Sequence, residues 1–364
     1  MTTTIDHLPS RTIHLNGEEH LFFSGTSYLG MGHQADFKAA LLEGFSQYGT
    51  IFSASRNNNV QLKIYDEAED FIAKLTDSEA ALTVSSGMSA GQLAVQSLVN
   101  QKLILAPSAH PAIWQRNTPP QYNFQNYDDF AKKIVGIVAQ ETSEVVIAIN
   151  AIDPLQGEVY DFSWIKNLPS DKPITLLLDD SHGIGITGTS RNASGFCEDG
   201  SGIFKKIKNE IGDKININLI VIASLAKAVG LPGGVILTNK KTIAAIRQNP
   251  LFVGASPIVP AYLYAFLKSQ KVYSEARDVL QKNIKQFKTA LSQIPHLPIT
   301  YLPNYPVFFT QQKEVFDFLL KHKILISSFP YPKPTDLPIT RIVLSALHTE
   351  GDVKHLIESM KYER

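Results

Sequence analysis

Six short apolar runs, each bounded by turn residues, recur through the first two thirds of the chain, at 80–84, 103–106, 145–149, 175–178, 219–223 and 234–237. Uninterrupted apolarity over so few residues fits strands buried on both faces. Between several of them lie stretches of helical period. Ile64, Ala68, Phe71, Ile72 and Leu75 share one face, and Ala90, Leu93, Ala94 and Leu98 share another. Strand and helix in alternation predict an α/β fold whose mainly parallel sheet is covered on both sides. From about 257 to 294 the pattern becomes one long helix, with Tyr262, Phe266, Val279 and Phe287 among its apolar positions. Beyond Pro295, short strands (299–302, 307–310, 339–345) mix with helices (313–321, 351–362), which predicts a smaller C-terminal α+β domain. At 364 residues the chain exceeds what one compact core usually holds. The expected organisation is an N-terminal segment, 1–44, a large domain, 45–270, and a small domain, 271–364.

Several function classes drop out on charge and composition. Lys plus Arg and Asp plus Glu both number 34, so no net field draws in nucleic acid or an anionic membrane. The densest basic cluster, Lys205-Lys206-Ile207-Lys208, reads as an exposed helix face. The single cysteine, Cys197, forbids an internal disulfide, suits a reducing compartment and reads as filler. No basic start followed by an apolar run opens the chain, so a cytoplasmic location is expected. The stretch 217–238 is long enough to span a bilayer and carries one charge, Lys227. A lysine at the centre of a membrane helix costs roughly 3 kcal/mol, and Gly230-Leu231-Pro232-Gly233-Gly234 would break that helix one turn later. Two buried strands joined by a loop are expected there instead.

Three local features carry chemistry. The run Leu176-Leu177-Leu178-Asp179-Asp180-Ser181-His182-Gly183 gathers its polar residues at the C-terminal end of a strand, where open α/β sheets bind ligands. The G-x-G-x-x-G match that follows, Gly183 to Gly188, does not open an amphipathic helix, because the residues after it are turn-rich; a dinucleotide site is therefore not expected. A metal would need a third ligand beyond Asp179, Asp180 and His182, and no spaced partner stands out. The second feature is Ser224-Leu225-Ala226-Lys227, where a lysine in an apolar stretch is expected to be desolvated. Lowering its pKa from about 10.4 to about 7 corresponds to roughly 4.6 kcal/mol, within reach of burial, and gives a nucleophilic amine that forms Schiff bases. The third is Ser85-Ser86-Gly87-Met88-Ser89, where a strand gives way to a helix whose N-terminal N–H groups can hold a phosphate. A phosphate cradle, a carboxylate for a pyridine nitrogen and an amine for an aldehyde together match pyridoxal 5'-phosphate.

The chain resembles the α-oxoamine synthases, fold type I pyridoxal-phosphate acyltransferases, over nearly its whole length. The likeness runs through Tyr28-Leu29-Gly30, Tyr48-Gly49-Thr50 to Ser55-Arg56, Ser85-Ser86-Gly87, Ala109-His110, Asp179 to Gly183, Ser224 to Lys227 and Arg341 to Thr349, in the family's order. The resemblance implies Lys227 as the Schiff-base lysine, Asp179 as the partner of the pyridine nitrogen, His182 facing the ring hydroxyl and His110 stacked on the ring. It implies Ser86, Gly87, Met88 and Ser224 at the phosphate, and Ser256 reaching a phosphate in a neighbouring subunit, hence a homodimer with shared active sites. It implies Arg341 at the substrate α-carboxylate, a task suited to a two-pronged donor. His33 and His348 are expected to be satisfied structural histidines.

Departures from the family pattern cluster on the substrate side. Gly25-Thr26-Ser27 stands where the family has an asparagine that positions the carboxylate, so Thr26 is the candidate there. Asn150 replaces a glutamate, Pro154 replaces a hydroxyl near the cofactor, and Pro111 follows His110. The expected activity is decarboxylating condensation of an amino acid with an acyl-CoA. The alternatives are transamination or another fold type I reaction using the same lysine and aspartate, or a silent cofactor-binding scaffold.

Overall fold

The computed structural model describes residues 4–114, 122–153, 155, 157–158, 160–189, 199–294, 297–331 and 335–361. Each predicted apolar run is a strand. Among the described residues these strands are β1 (Thr12–Leu15), β2 (Glu18–Phe23), β3 (Ala80–Val84), β4 (Lys102–Leu105), β5 (Val145–Asn150), β6 (Ile174–Asp179), β7 (Ile217–Ser224), β8 (Gly234–Thr238), β9 (Ile299–Tyr301), β10 (Val307–Thr310), β11 (Ile324–Pro330) and β12 (Pro338–Val343).

The large sheet has the order β3-β8-β7-β6-β5-β4. Neighbours from β4 to β7 run parallel, and β8 alone runs against both its neighbours, so the mainly parallel expectation holds. All six residues of β5 and of β6 are buried, which is why their sequences show no polar alternation. Side chains on the two faces enter two separate clusters. Leu176 and Leu178 pack on one side, while Leu177 packs on the other with Ala90, Leu93 and Ala94 of the helix Gly87–Ser97. The stretch 217–238 is two buried strands, β7 and β8, joined by a loop, and no helix among the described residues is long and apolar enough to cross a membrane.

The second sheet, β1-β2-β11-β12-β10-β9, joins both ends of the sequence. Strands β1 and β2 form a hairpin through Asn16 and Gly17, both at positive φ, the conformation that a two-residue hairpin turn demands. Strand β2 then pairs in parallel with β11, placing Leu21 beside Ile324. Neither β1, β2 nor β11 was expected from the sequence. A second difference lies in the expected long helix over 257–294, which is two helices, Pro260–Lys268 and Gln270–Leu291. The break is at Ser269, whose backbone leaves the helical region (φ −100°, ψ 21°). The bend lets Phe266 pack edge-on against Tyr273 with ring centroids 5.6 Å apart. Helix Phe204–Ile211 buries Phe204, Ile207 and Ile211 and turns Lys206 and Lys208 outward.

Candidate active site

The C-terminal ends of the parallel strands lie side by side, with Asn150 registered against Asp179 and Asp179 against Ile222. Strands β5, β6 and β7 end at this edge on polar residues, Asn150, Asp179 and Ser224. Asp179 is buried, and its Oδ1 accepts the Ser181 N–H at 2.9 Å. Its Oδ2 lies 3.6 Å from Nδ1 of His110, beyond hydrogen-bond length. That same Nδ1 accepts the Ala112 N–H at 3.2 Å, so it carries no proton there and the imidazole is neutral. Burial lowers the pKa of His110, Asp179 opposes the shift and Lys227 adds to it.

Asn150 holds the loop that carries His110. Its Oδ1 accepts the His110 N–H at 3.0 Å and its Nδ2 donates to the Ser108 carbonyl at 2.7 Å. Ser108 sits at φ 58°, in the left-handed region, so the clamp fixes a backbone conformation that a free loop would avoid. A glutamate could accept here but not donate.

Lys227 stands in the loop between β7 and β8, which is closed by Leu225 N–H to the Gly233 carbonyl and by Leu231 N–H to the Leu225 carbonyl, both 2.9 Å. Burial pulls its ammonium pKa down, Asp179 opposes this, Arg341 adds to it and Asp180 opposes it. Ser181 braces the loop's start, accepting the Ser224 N–H on Oγ at 2.8 Å. Beside them, Asp180 is buried; its Oδ2 accepts the Ile203 N–H at 2.8 Å and its Oδ1 has no hydrogen-bond partner. Burial pushes its carboxyl pKa up to about 8. His182 pairs through Nδ1 with the Tyr28 hydroxyl at 3.0 Å, and that hydroxyl meets Tyr305 at 3.2 Å. Burial, then Lys227, Arg341 and His110, lower the His182 pKa well below its ordinary value.

On the far side of the loop, Ser86 caps helix Gly87–Ser97 by accepting the Ser89 N–H at 3.0 Å. Gly87 is required by proximity: a Cβ there would come within 2.5 Å of the Ser224 Cβ. The helix N-terminus and Ser224 are therefore in contact. Met88 is exposed and lines a cleft with Ser85, Ser89 and Ser256. Arg341 projects from β12, is buried, and influences the titration of Lys227, His182, Tyr28 and Tyr305. Thr26 is half-buried in the loop that follows β2.

The structure thus gathers Lys227, Asp179, His110, His182 and Arg341 around one point and sets Ser86, Gly87 and Ser224 together beside it. Met88 and Ser256 share a neighbouring cleft. Pro154 and Cys197 lie outside the described residues. Gly183 to Ile186 form turns and open no helix. His33 bonds the Pro9 carbonyl, and His348 bonds the Phe22 carbonyl while stacking on Phe23, as expected of structural histidines. Sequence reasoning missed Tyr305, Ser181, the shared hydroxyl of Tyr28 and the two-ended use of Asn150. Tyr28 and Ser181 carried a signal in their motifs, Tyr28-Leu29-Gly30 and Asp179 to Gly183, and Asn150 in its replacement of a glutamate; Tyr305 carried none.

Known proteins share this architecture. The 8-amino-7-oxononanoate synthase of Petrotoga mobilis is 24% identical over 99% of this chain and 92% of its own length. A serine palmitoyltransferase of Sphingomonas wittichii superposes with a TM-score of 0.77 at 18% identity, covering 97% of this chain and 89% of that one. The 8-amino-7-oxononanoate synthase of Francisella tularensis superposes at 0.70 with 19% identity, covering 94% and 97%. The fold is the one expected, fold type I with its mainly parallel large sheet. The profile described as aminotransferase class I and II matches residues 24–360, and the chain belongs to that family.

Proposed function

We infer that this protein is a pyridoxal-phosphate-dependent α-oxoamine synthase, which joins an amino acid to the acyl group of an acyl-CoA with loss of the amino acid's carboxyl group. The observation that carries this reading is the meeting of a desolvated amine, Lys227, with the strand-end carboxylate of Asp179 beside the contact of Gly87 with Ser224. The residues fit the cofactor. Asp179 turns one oxygen toward the site without spending it on a hydrogen bond to His110, and suits the pyridine nitrogen. His110 suits the ring face, His182 the ring hydroxyl, and Ser86, Gly87, Met88 and Ser224 the phosphate.

When bound, pyridoxal phosphate supplies an electron sink for the pair left on the substrate Cα. Arg341 holds the α-carboxylate through its paired donors. Lys227 takes the Cα proton; burial lowers its pKa, so a larger share of the amine is neutral and able to accept. Neutral His110 and His182 add no positive charge that would compete with Arg341 for that carboxylate. The new carbon–carbon bond forms from Cα to the thioester carbonyl carbon, coenzyme A thiolate departs, the carboxylate leaves as carbon dioxide, and Lys227 returns a proton to Cα. The products are an α-amino ketone, carbon dioxide and coenzyme A.

A homodimer completes the site in this reading. Ser256 lies near the exposed Leu251 and Val253, an apolar edge suited to a second copy of the chain. The single cysteine fits a cytoplasmic setting. Borohydride reduction of the holoenzyme followed by peptide mapping should place a pyridoxyl group on Lys227. Coenzyme A release should require an amino acid and an acyl-CoA together. A label elsewhere, or amino-group transfer to a keto acid without thioester consumption, overturns the reading.

A further inference from the structure

Behind His182 stand two phenols, Tyr28 and Tyr305, that are 1% and 2% exposed and come from opposite ends of the sequence. Both are seated on the segment that leaves β12. The Ala346 N–H donates to the Tyr28 carbonyl and the Leu344 N–H to the Pro306 carbonyl, each at 2.8 Å. A Cβ on Gly30 would come within 2.3 Å of the Leu347 Cγ, so the turn after Tyr28 is packed on that same segment. Three polar atoms therefore stand in a fixed row: His182 Nδ1, the Tyr28 oxygen at 3.0 Å from it, and the Tyr305 oxygen at 3.2 Å from that.

Acid strength sets the direction of the hydrogens along this row. A phenol gives up its proton at about pH 10 and an imidazole nitrogen takes one at about pH 6.5, so the hydroxyl is the donor and Nδ1 the acceptor. Burial raises both phenol pKa values, which keeps both hydrogens in place. Having given its one hydrogen to Nδ1, the Tyr28 oxygen can only accept, so Tyr305 donates to it. Burial, together with Lys227, Arg341 and His110, keeps the His182 ring neutral. A neutral ring whose Nδ1 accepts carries its hydrogen on Nε2.

We propose that Tyr28 and Tyr305 are positioning residues that lock His182 in the Nε2-protonated tautomer, so that the ring offers a donor to the ring oxygen of pyridoxal phosphate. The lock rests on the row of hydroxyls, and its use rests on the synthase reading. In the opposite tautomer a lone pair would face that oxygen, and the two would repel.

The test labels the full chain with histidine carrying 15N at δ1 only and records solid-state NMR with and without pyridoxal phosphate. The His182 signal is the one missing from His182→Asn. In the wild type it should lie downfield, where unprotonated ring nitrogens resonate. Tyr28→Phe removes the donor, so the upfield signal of a protonated δ1 nitrogen should appear, and cofactor affinity by equilibrium dialysis should fall about tenfold to a hundredfold. Tyr305→Phe leaves Tyr28 donating; the signal should stay downfield while affinity falls about two- to fivefold. A merely structural loss would weaken affinity without moving a proton to δ1. A protonated δ1 nitrogen in the wild type, or a Tyr28→Phe signal unchanged from it, overturns the proposal. Coenzyme A release from an amino acid plus an acyl-CoA is measured in parallel. Release by a wild type whose δ1 nitrogen is protonated sinks the lock and leaves the synthase reading standing. An unprotonated δ1 nitrogen that Tyr28→Phe protonates, with no release, sustains the lock and sinks the synthase reading.

Discussion

Two buried groups of opposite charges lie beside the large sheet, one around Glu69 and one around Lys227. At Glu69 both carboxylate oxygens are fully used. Oε1 accepts from Arg56 at 3.0 Å and from the Thr83 N–H and hydroxyl at 2.8 Å each, while Oε2 accepts from Arg56 at 3.1 Å and Arg247 at 3.0 Å. Arg56 also lies 4.0 Å from the ring centre of Tyr65. The result ties helix Lys63–Thr76 to β3 and to the end of helix Lys240–Ile246. Around Lys227 the charges are under-partnered: Asp180 keeps a buried oxygen without a hydrogen bond, and burial pulls down the amine of Lys227. Desolvation is offset at the Glu69 carboxylate, with Arg56 Nε left without a partner, and is left standing at the second group. Paired burial fixes geometry, while unpaired burial stores reactivity.

Breaking each group should expose this difference. The largest effect is expected from Lys227→Ala, which should lower the rate of coenzyme A release by about 10⁴-fold or more while the melting temperature holds or rises, because a costly buried amine is gone. Glu69→Ala should do the reverse. Stranding two guanidinium groups should cost about 3–5 kcal/mol in denaturant unfolding, with turnover per folded molecule nearly unchanged. Asn150→Asp keeps the acceptor for His110 but sets a carboxylate against the Ser108 carbonyl. It should cost about 1–3 kcal/mol, read as a 5- to 150-fold fall in kcat/KM and as weaker cofactor affinity by equilibrium dialysis.

The comparison can also be sharpened through pH. Asp180 keeps its proton in the native state up to about pH 8, whereas in the unfolded chain it loses it near 4. Across that window the unfolded state binds fewer protons, so this group's stabilisation is full below about pH 4 and is lost as pH rises toward 8, by at most about 1.4 kcal/mol per unit. Asp180→Asn should flatten this slope. Melting curves of both proteins at pH 5 and pH 8 check it, and parallel slopes would contradict the assignment.

How much of this was legible depends on where the partners lie. Strand β6 could be read from six residues, because burial on both faces leaves an apolar run ending at Asp179. Strands β1 and β2 could not, since His14, Glu18 and Glu19 break any pattern and the parallel neighbour of β2 lies some 300 residues away. The same reason applies inside the site. Asn150 reads as a lost glutamate until Ser108 and His110, about 40 residues earlier, are seen at the two ends of its amide. Tyr28 lies in a recognisable motif, but the use of its hydroxyl depends on His182 and Tyr305, 154 and 277 residues downstream. Lys227 was legible because its own neighbours, Ala226 and Ala228, already foretold desolvation.

The pairing of Leu21 with Ile324 also sets an order of events during synthesis. The strand that leads into Thr26 and Tyr28 emerges from the ribosome some 300 residues before its parallel neighbour, and waits with one backbone edge bare until β11 arrives. A nascent chain can therefore bury most of its large sheet while the strand that carries Arg341 is still untranslated, so the proposed carboxylate site comes together only after the strands that carry Asp179 and Ser224.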